Sequence, residues 1–133
     1  MKTSVLVVVS CVALATGAQA QQASQGPTYA LKKMTDTLPK GDNLEVRVRS
    51  STLQPGVVGA WHTHPTPPVV YVVEGTVSFE FKDGTTAQAK AGEAVLEPIN
   101  TAMRALNKGD TPAKIVIFQV SPPDMPESHA ATQ

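Results

Sequence analysis

From Leu44 onward, apolar and polar residues alternate along most of the chain. Leu44, Val46 and Val48 alternate with Glu45, Arg47 and Arg49, the pattern of a half-buried strand whose apolar side chains share one face. Pro55-Gly56 marks a turn, and Val57 to His64 reads as a second short strand. Val69 to Val73 is a compact β-branched and aromatic run closed by Glu74-Gly75. Val77, Phe79 and Phe81 then alternate with Ser78, Glu80 and Lys82 as far as Asp83-Gly84, a two-residue hairpin signal, with Thr85 to Ala89 as the returning arm. Further strands are predicted at Ala94 to Glu97 and Thr101 to Leu106, and the clearest late one at Ala113 to Val120, with Ile115, Val116, Ile117 and Phe118 together.

No stretch carries a long 3.6-residue apolar period, and Pro98 lies inside the one segment that a helix would need, Glu93 to Leu106. The expected fold is therefore all-β, a sandwich or barrel of eight or nine short strands.

Composition and charge narrow the class further. The 133 residues hold 11 Lys and Arg against 11 Asp and Glu, with no basic block. Nucleic acid and an anionic membrane surface are thereby disfavoured as partners. The beginning of the chain reads as a targeting segment: Lys2, an apolar run from Val5 to Leu14 too short to span a bilayer, and a small-x-small site at Ala18-Gln19-Ala20. The resulting division is a signal peptide over 1–20, an N-terminal arm over 21–43, a β-domain over 44–121 and a polar C-terminal tail over 122–133, with fraying expected at His129 and its Ala and Gln neighbours. Cleavage near Ala20 would place the protein in the periplasm or outside the cell and remove the single cysteine, Cys11. That excludes a disulfide framework or a thiolate site in the mature chain. Lipid attachment at Cys11 is the alternative reading of the same segment.

Candidate chemistry concentrates at Trp61-His62-Thr63-His64-Pro65. Two histidines one residue apart on an extended chain point their rings to the same side, which gives half of a metal site. The bland reading is a partly buried pair bonded to the backbone.

The whole pattern resembles the cupin superfamily, small jelly-roll domains of the double-stranded β-helix type. The first cupin block usually reads Gly, His-x-His, three or four residues, Glu, six residues, Gly. His62, His64 and Gly75 match it, Tyr71-Val72-Val73-Glu74-Gly75 resembles its ending, and the place of the glutamate ligand falls on Pro68. The second block usually reads Gly, five residues, Pro-x-Gly, two residues, His, three residues, Asn. Gly92, Pro98 and Asn107 match, Asn100 replaces the glycine, and the last histidine falls on Met103.

The resemblance implies a cupin-like barrel that retains two of four usual ligands, with Met103 as a possible third. A thioether is a soft ligand, so a site of His62, His64 and Met103 points to copper over iron, zinc or manganese. Glu74 and Glu97 are expected at the surface. Tyr71 is expected in the cavity or the core, and Leu106 is available to an interface. A homodimer is implied by the resemblance. Three functions remain open: a secreted metal-binding cupin, a metal-dependent enzyme acting on a small molecule (dioxygenase, isomerase or lyase type), and a metal-free jelly roll holding a small ligand.

Overall fold

The computed structural model describes residues 28–132; the predicted signal peptide and Cys11 lie outside them. Nine strands follow one another: β1 (Glu45–Leu53), β2 (His62–Thr63), β3 (Val69–Glu74), β4 (Thr76–Phe81), β5 (Thr86–Lys90), β6 (Ala94–Leu96), β7 (Met103–Leu106), β8 (Ala113–Ser121) and β9 (His129–Ala130). They form two antiparallel sheets, β1-β8-β3-β6 and β5-β4-β7-β2-β9. Among the described residues no helix forms, so none is long and apolar enough to cross a membrane. This is the all-β architecture that the alternation predicts, arranged as the jelly roll that the resemblance implies.

The inner faces of the two sheets meet in one core. Val70 and Val72 of β3, Val77 and Phe79 of β4, Met103 of β7 and Ile115 of β8 pack together there. Phe79 and Met103 are fully buried. Burying such side chains contributes about 1.5–3 kcal/mol each.

Turn chemistry sets the register. Gly75 sits at φ 76° between β3 and β4, and a Cβ there would meet the Pro112 carbonyl oxygen at 2.7 Å. Both the backbone conformation and the close approach require glycine. Gly75→Ala is therefore expected to cost about 2–4 kcal/mol, seen as a lower urea midpoint at unchanged slope. At the β4–β5 hairpin, Phe81 N–H donates to Thr85 O, so the loop holds three residues, Lys82 to Gly84, where the sequence predicts two. Gly84 takes φ 87°, the left-handed position of a three-residue turn. Asp83 Oδ1 accepts from the Thr85 hydroxyl (2.6 Å) and amide (2.8 Å).

Three placements differ from expectation. The leading valines of β1 face outward: Val46 and Val48 are 59% and 63% exposed, while Arg49, Ser51 and Leu53 line the interior cavity. Periodicity tells which residues share a face, not which face turns inward. Leu106 is buried rather than free for an interface. The run 56–59 covers it through the Val58–Leu106 bridge, Gly59 N–H to Ala105 O and Asn107 N–H to Val57 O. The tail is not frayed: it returns to the barrel and adds β9 beside β2, with His129 opposite Thr63 and Ala130 opposite His62.

Candidate functional site

His62 and His64 leave β2 on the inner side, as their spacing predicts, and their rings meet edge to face with centroids 4.8 Å apart. Each has its Nδ1 beside a backbone carbonyl, Ala60 O at 2.9 Å for His62 and Glu127 O at 2.8 Å for His64. A carbonyl only accepts, so a neutral ring places its proton on Nδ1 and leaves the Nε2 lone pair free. Metal-ligating histidines are oriented in the same way.

The Nε2 of His64 faces a carboxylate that sequence reasoning placed at the surface. Glu97 is 5% exposed, and its Oε2 lies 3.0 Å from His64 Nε2. The contact is close but off the line of a hydrogen bond, so this buried nitrogen has no hydrogen-bond partner among the described residues. Two lone-pair atoms at that distance repel unless a cation lies with them, either a proton or a metal ion. Two ligand atoms each about 2.1 Å from one ion and at right angles would lie about 3.0 Å apart, so the pair fits a metal.

Below the pKa of His64, a proton takes that role in the metal-free protein. Burial acts most strongly on His64 and lowers its pKa. The facing Glu97 carboxylate and the Glu127 carbonyl together outweigh it, so the net shift is upward from the ordinary histidine value.

Glu97 reaches the cavity because of its strand position. Val69 pairs with Leu96, and Glu97 N–H donates to Pro68 O at 2.9 Å, so Glu97 stands directly across from Pro68. The place where the cupin pattern puts its glutamate is thus occupied by proline, and the neighbouring strand supplies the acid. Period two puts Glu97 on the same face as the partly buried Val95, but the strand pairing decides that this face turns inward. Glu74, in contrast, is at the surface as expected, paired with Lys114.

The three groups open on a cavity of about 490 Å3. Val70, Phe79, Ile115 and Ile117 form its apolar walls, and Arg49 and Gln119 add polar groups. Gln119 Nε2 donates to Thr66 O, Thr66 Oγ1 and Glu127 O at 3.0–3.1 Å. Among the described residues no three His, Cys, Asp or Glu side chains converge into a complete cage. The site is a His64–Glu97 pair with His62 beside it.

Met103 lies opposite His62 in the β2–β7 pairing and opposite Phe81 in the β4–β7 pairing. It therefore shares the inner face with His62, but it is packed in the core and does not form part of the cavity wall. Tyr71 points outward and is 40% exposed, in neither the cavity nor the core. The Trp61 ring carries Arg104 at 4.6 Å and Lys82 at 5.8 Å, a cation–π stack rather than a ligand shelf. Asn100, which stands where the cupin pattern has glycine, takes φ 51° and donates its N–H to His64 O at 2.9 Å. Asparagine is among the few residues that tolerate this left-handed conformation, so the turn survives and secures the backbone of a site histidine.

Comparison with known proteins agrees with this architecture. A family model described as "Cupin domain" matches residues 49–118. An uncharacterized conserved protein with a double-stranded β-helix domain from Klebsiella pneumoniae is similar at a TM-score of 0.58 and 21% identity, over 76% of this chain and 90% of that one. A cupin domain from Bordetella pertussis is similar at a TM-score of 0.52 and 26% identity, over 62% and 88%. A DMSP lyase from Ruegeria pomeroyi gives a TM-score of 0.54 at 14% identity, over 61% of this chain and 41% of the lyase; a further structure of DMSP lyases is covered over 44% of its length. The chain thus spans less than half of the lyases it matches. No match is found among the curated proteins compared.

Proposed function

Because this chain belongs to the cupin family, we propose that it is a metal-binding cupin that holds a divalent transition metal with His62, His64 and Glu97 and admits a small molecule to the cavity beside it. The observation that carries this reading is the buried His64 Nε2, turned by its Nδ1 bond toward the Glu97 carboxylate 3.0 Å away. Two imidazoles and one carboxylate suit a divalent first-row ion and would leave coordination positions open, at which a bound ion would supply Lewis-acid polarisation of a ligand oxygen. The protein's own residues orient the ligands, exclude water with the apolar wall and offer Arg49 at the mouth. Titration of tag-free protein with Zn(II), Co(II), Ni(II) and Mn(II) by calorimetry tests it. One equivalent bound with release of protons supports the reading, and no saturable uptake of any of them rejects it.

The position of Met103 supports a second reading. Its register with His62 keeps a soft Cu(I) site of His62, His64 and Met103 in view. Met103→Leu, nearly volume-conserving, is expected to leave divalent affinity within about threefold. A selective loss of Cu(I) binding in that variant would favour the copper reading.

The outer face of the β1-β8-β3-β6 sheet supports a homodimer. Val48, Phe118 and Val69 line up across three strands, with Tyr71 and Val73 alongside. Val46, Val48, Tyr71, Val73 and Phe118 are each 40–63% exposed. A chain whose formal net charge is zero, and minus one once Lys2 is removed with the leader, repels a second copy little, and a strand that turns Val46 and Val48 outward gains by covering them. Val48→Asp is expected to convert a dimer to a monomer in analytical ultracentrifugation with its unfolding midpoint otherwise retained. A monomeric unmutated protein would remove the dimer. Export to the periplasm or beyond after cleavage near Ala20 belongs to the same reading, and the N-terminal sequence of the native protein tests it.

A further inference from the structure

The segment from Pro122 to Thr132 crosses the mouth of the barrel, and every stage of its path is fastened. Arg47 Nη1 donates to Met125 O at 2.7 Å, and Arg49 Nε lies 2.8 Å from Glu127 Oε2. Ala131 N–H donates to Trp61 O at 3.0 Å, and Lys82 Nζ donates to Thr132 O. Between these ties, Ser128 and Ala130 form part of the cavity wall, and β9 pairs with the strand that carries His62. One carbonyl has the central role: Glu127 O accepts from His64 Nδ1 at 2.8 Å and from Gln119 Nε2 at 3.1 Å. The polar inner residues of β1 now have a function, because Arg47 and Arg49 grip this strap.

We infer that the strap is a working part of the site: the Glu127 carbonyl is a positioning group that fixes the His64 tautomer and turns its Nε2 lone pair toward Glu97 and the cavity. Without that acceptor, the imidazole is free to carry its proton on Nε2, where it blocks a ligand position. Groups that orient a metal-ligating histidine in this way are worth about 10–100-fold in metal affinity. The inference rests on His64 being a ligand, but the tautomer it predicts exists in the metal-free chain and can be read there.

Two changes loosen the strap without touching the core cluster. Ala131→Pro removes the N–H that bonds Trp61 O in an otherwise full-length chain, and a chain ending at Ser128 deletes β9. The measurement is the proton position on His64, from long-range nitrogen–proton NMR spectra of metal-free protein at about pH 9, where an imidazole is neutral. The intact chain is expected to show Nδ1–H, and both variants are expected to shift toward Nε2–H and to bind Zn(II) about 10–100-fold more weakly. An Nε2–H tautomer in the intact chain, or an Nδ1–H tautomer unchanged in both variants, overturns the inference. If the intact chain takes up no metal, the site reading fails by itself, and the tautomer shift still decides the role of the strap.

Discussion

Glu97→Gln is expected to weaken divalent-metal binding by more than about 100-fold while the barrel stays folded. The substitution keeps the shape of the side chain and removes the charge that stands 3.0 Å from His64 Nε2. Two neutral imidazoles are then left to compensate for the lost hydration of a divalent ion, which they do poorly. Calorimetric titration reads the loss, and thermal unfolding of the metal-free variant shows that the fold remains.

The same substitution has an opposite signature in the absence of metal. The raised His64 pKa means that protonated His64 stabilises the metal-free fold. That contribution is fully present below the unfolded value of about 6.5 and is lost as pH rises through the higher folded value. Metal binding runs the other way, since a proton on Nε2 competes with the ion, so affinity rises over the same window. In Glu97→Gln, burial is left with less opposition, His64 titrates lower, and both pH dependences flatten. Unchanged pH profiles in that variant would show that Glu97 does not govern His64.

Asn107→Ala is expected to cost about 3–5 kcal/mol, the largest loss of stability from any polar side chain discussed. Asn107 is 2% exposed. Its Nδ2 donates to Leu53 O (2.9 Å) and Thr111 O (2.8 Å), and its Oδ1 accepts from Gly109 N–H (2.9 Å). One side chain thus closes the β7–β8 turn and fastens the end of β1 to it. Alanine leaves these groups without their partner, and water reaches them poorly. Asn107→Asp is expected to be no milder despite its shape, because it presents acceptors to two carbonyl oxygens. Urea unfolding checks both; a loss under about 1 kcal/mol for Asn107→Ala would mean that the turn is held by the rest of the ladder.

Much of this arrangement was legible in the residues themselves. Alternation in β4 and the hairpin glycine follow from local rules, and the structure realises them. The paired histidines were legible for the same reason, since period two sets a shared side regardless of the rest of the fold. What the residues could not reveal depends on which strands become neighbours. Glu97 acquires its place only when β6 lies against Pro68 and β3. The outward turn of Val46 and Val48 depends on a strap that occupies the inner side of β1. The strap was read as loose because it is polar and rich in proline, and composition carries no information about bonds from Arg47, Gln119 and His64. Met103 lies opposite His62 in the β2–β7 pairing, but the ring and the sulfur share a register without sharing the cavity wall.

Crystals of the protein loaded with Co(II), measured at the cobalt absorption edge, put the central claim to the most direct test. The account predicts one anomalous peak at the cavity, about 2.0–2.2 Å from Nε2 of both His62 and His64 and from a Glu97 carboxylate oxygen. A peak that includes the Met103 sulfur and omits Glu97, or no peak at this cavity at full metal loading, would contradict it.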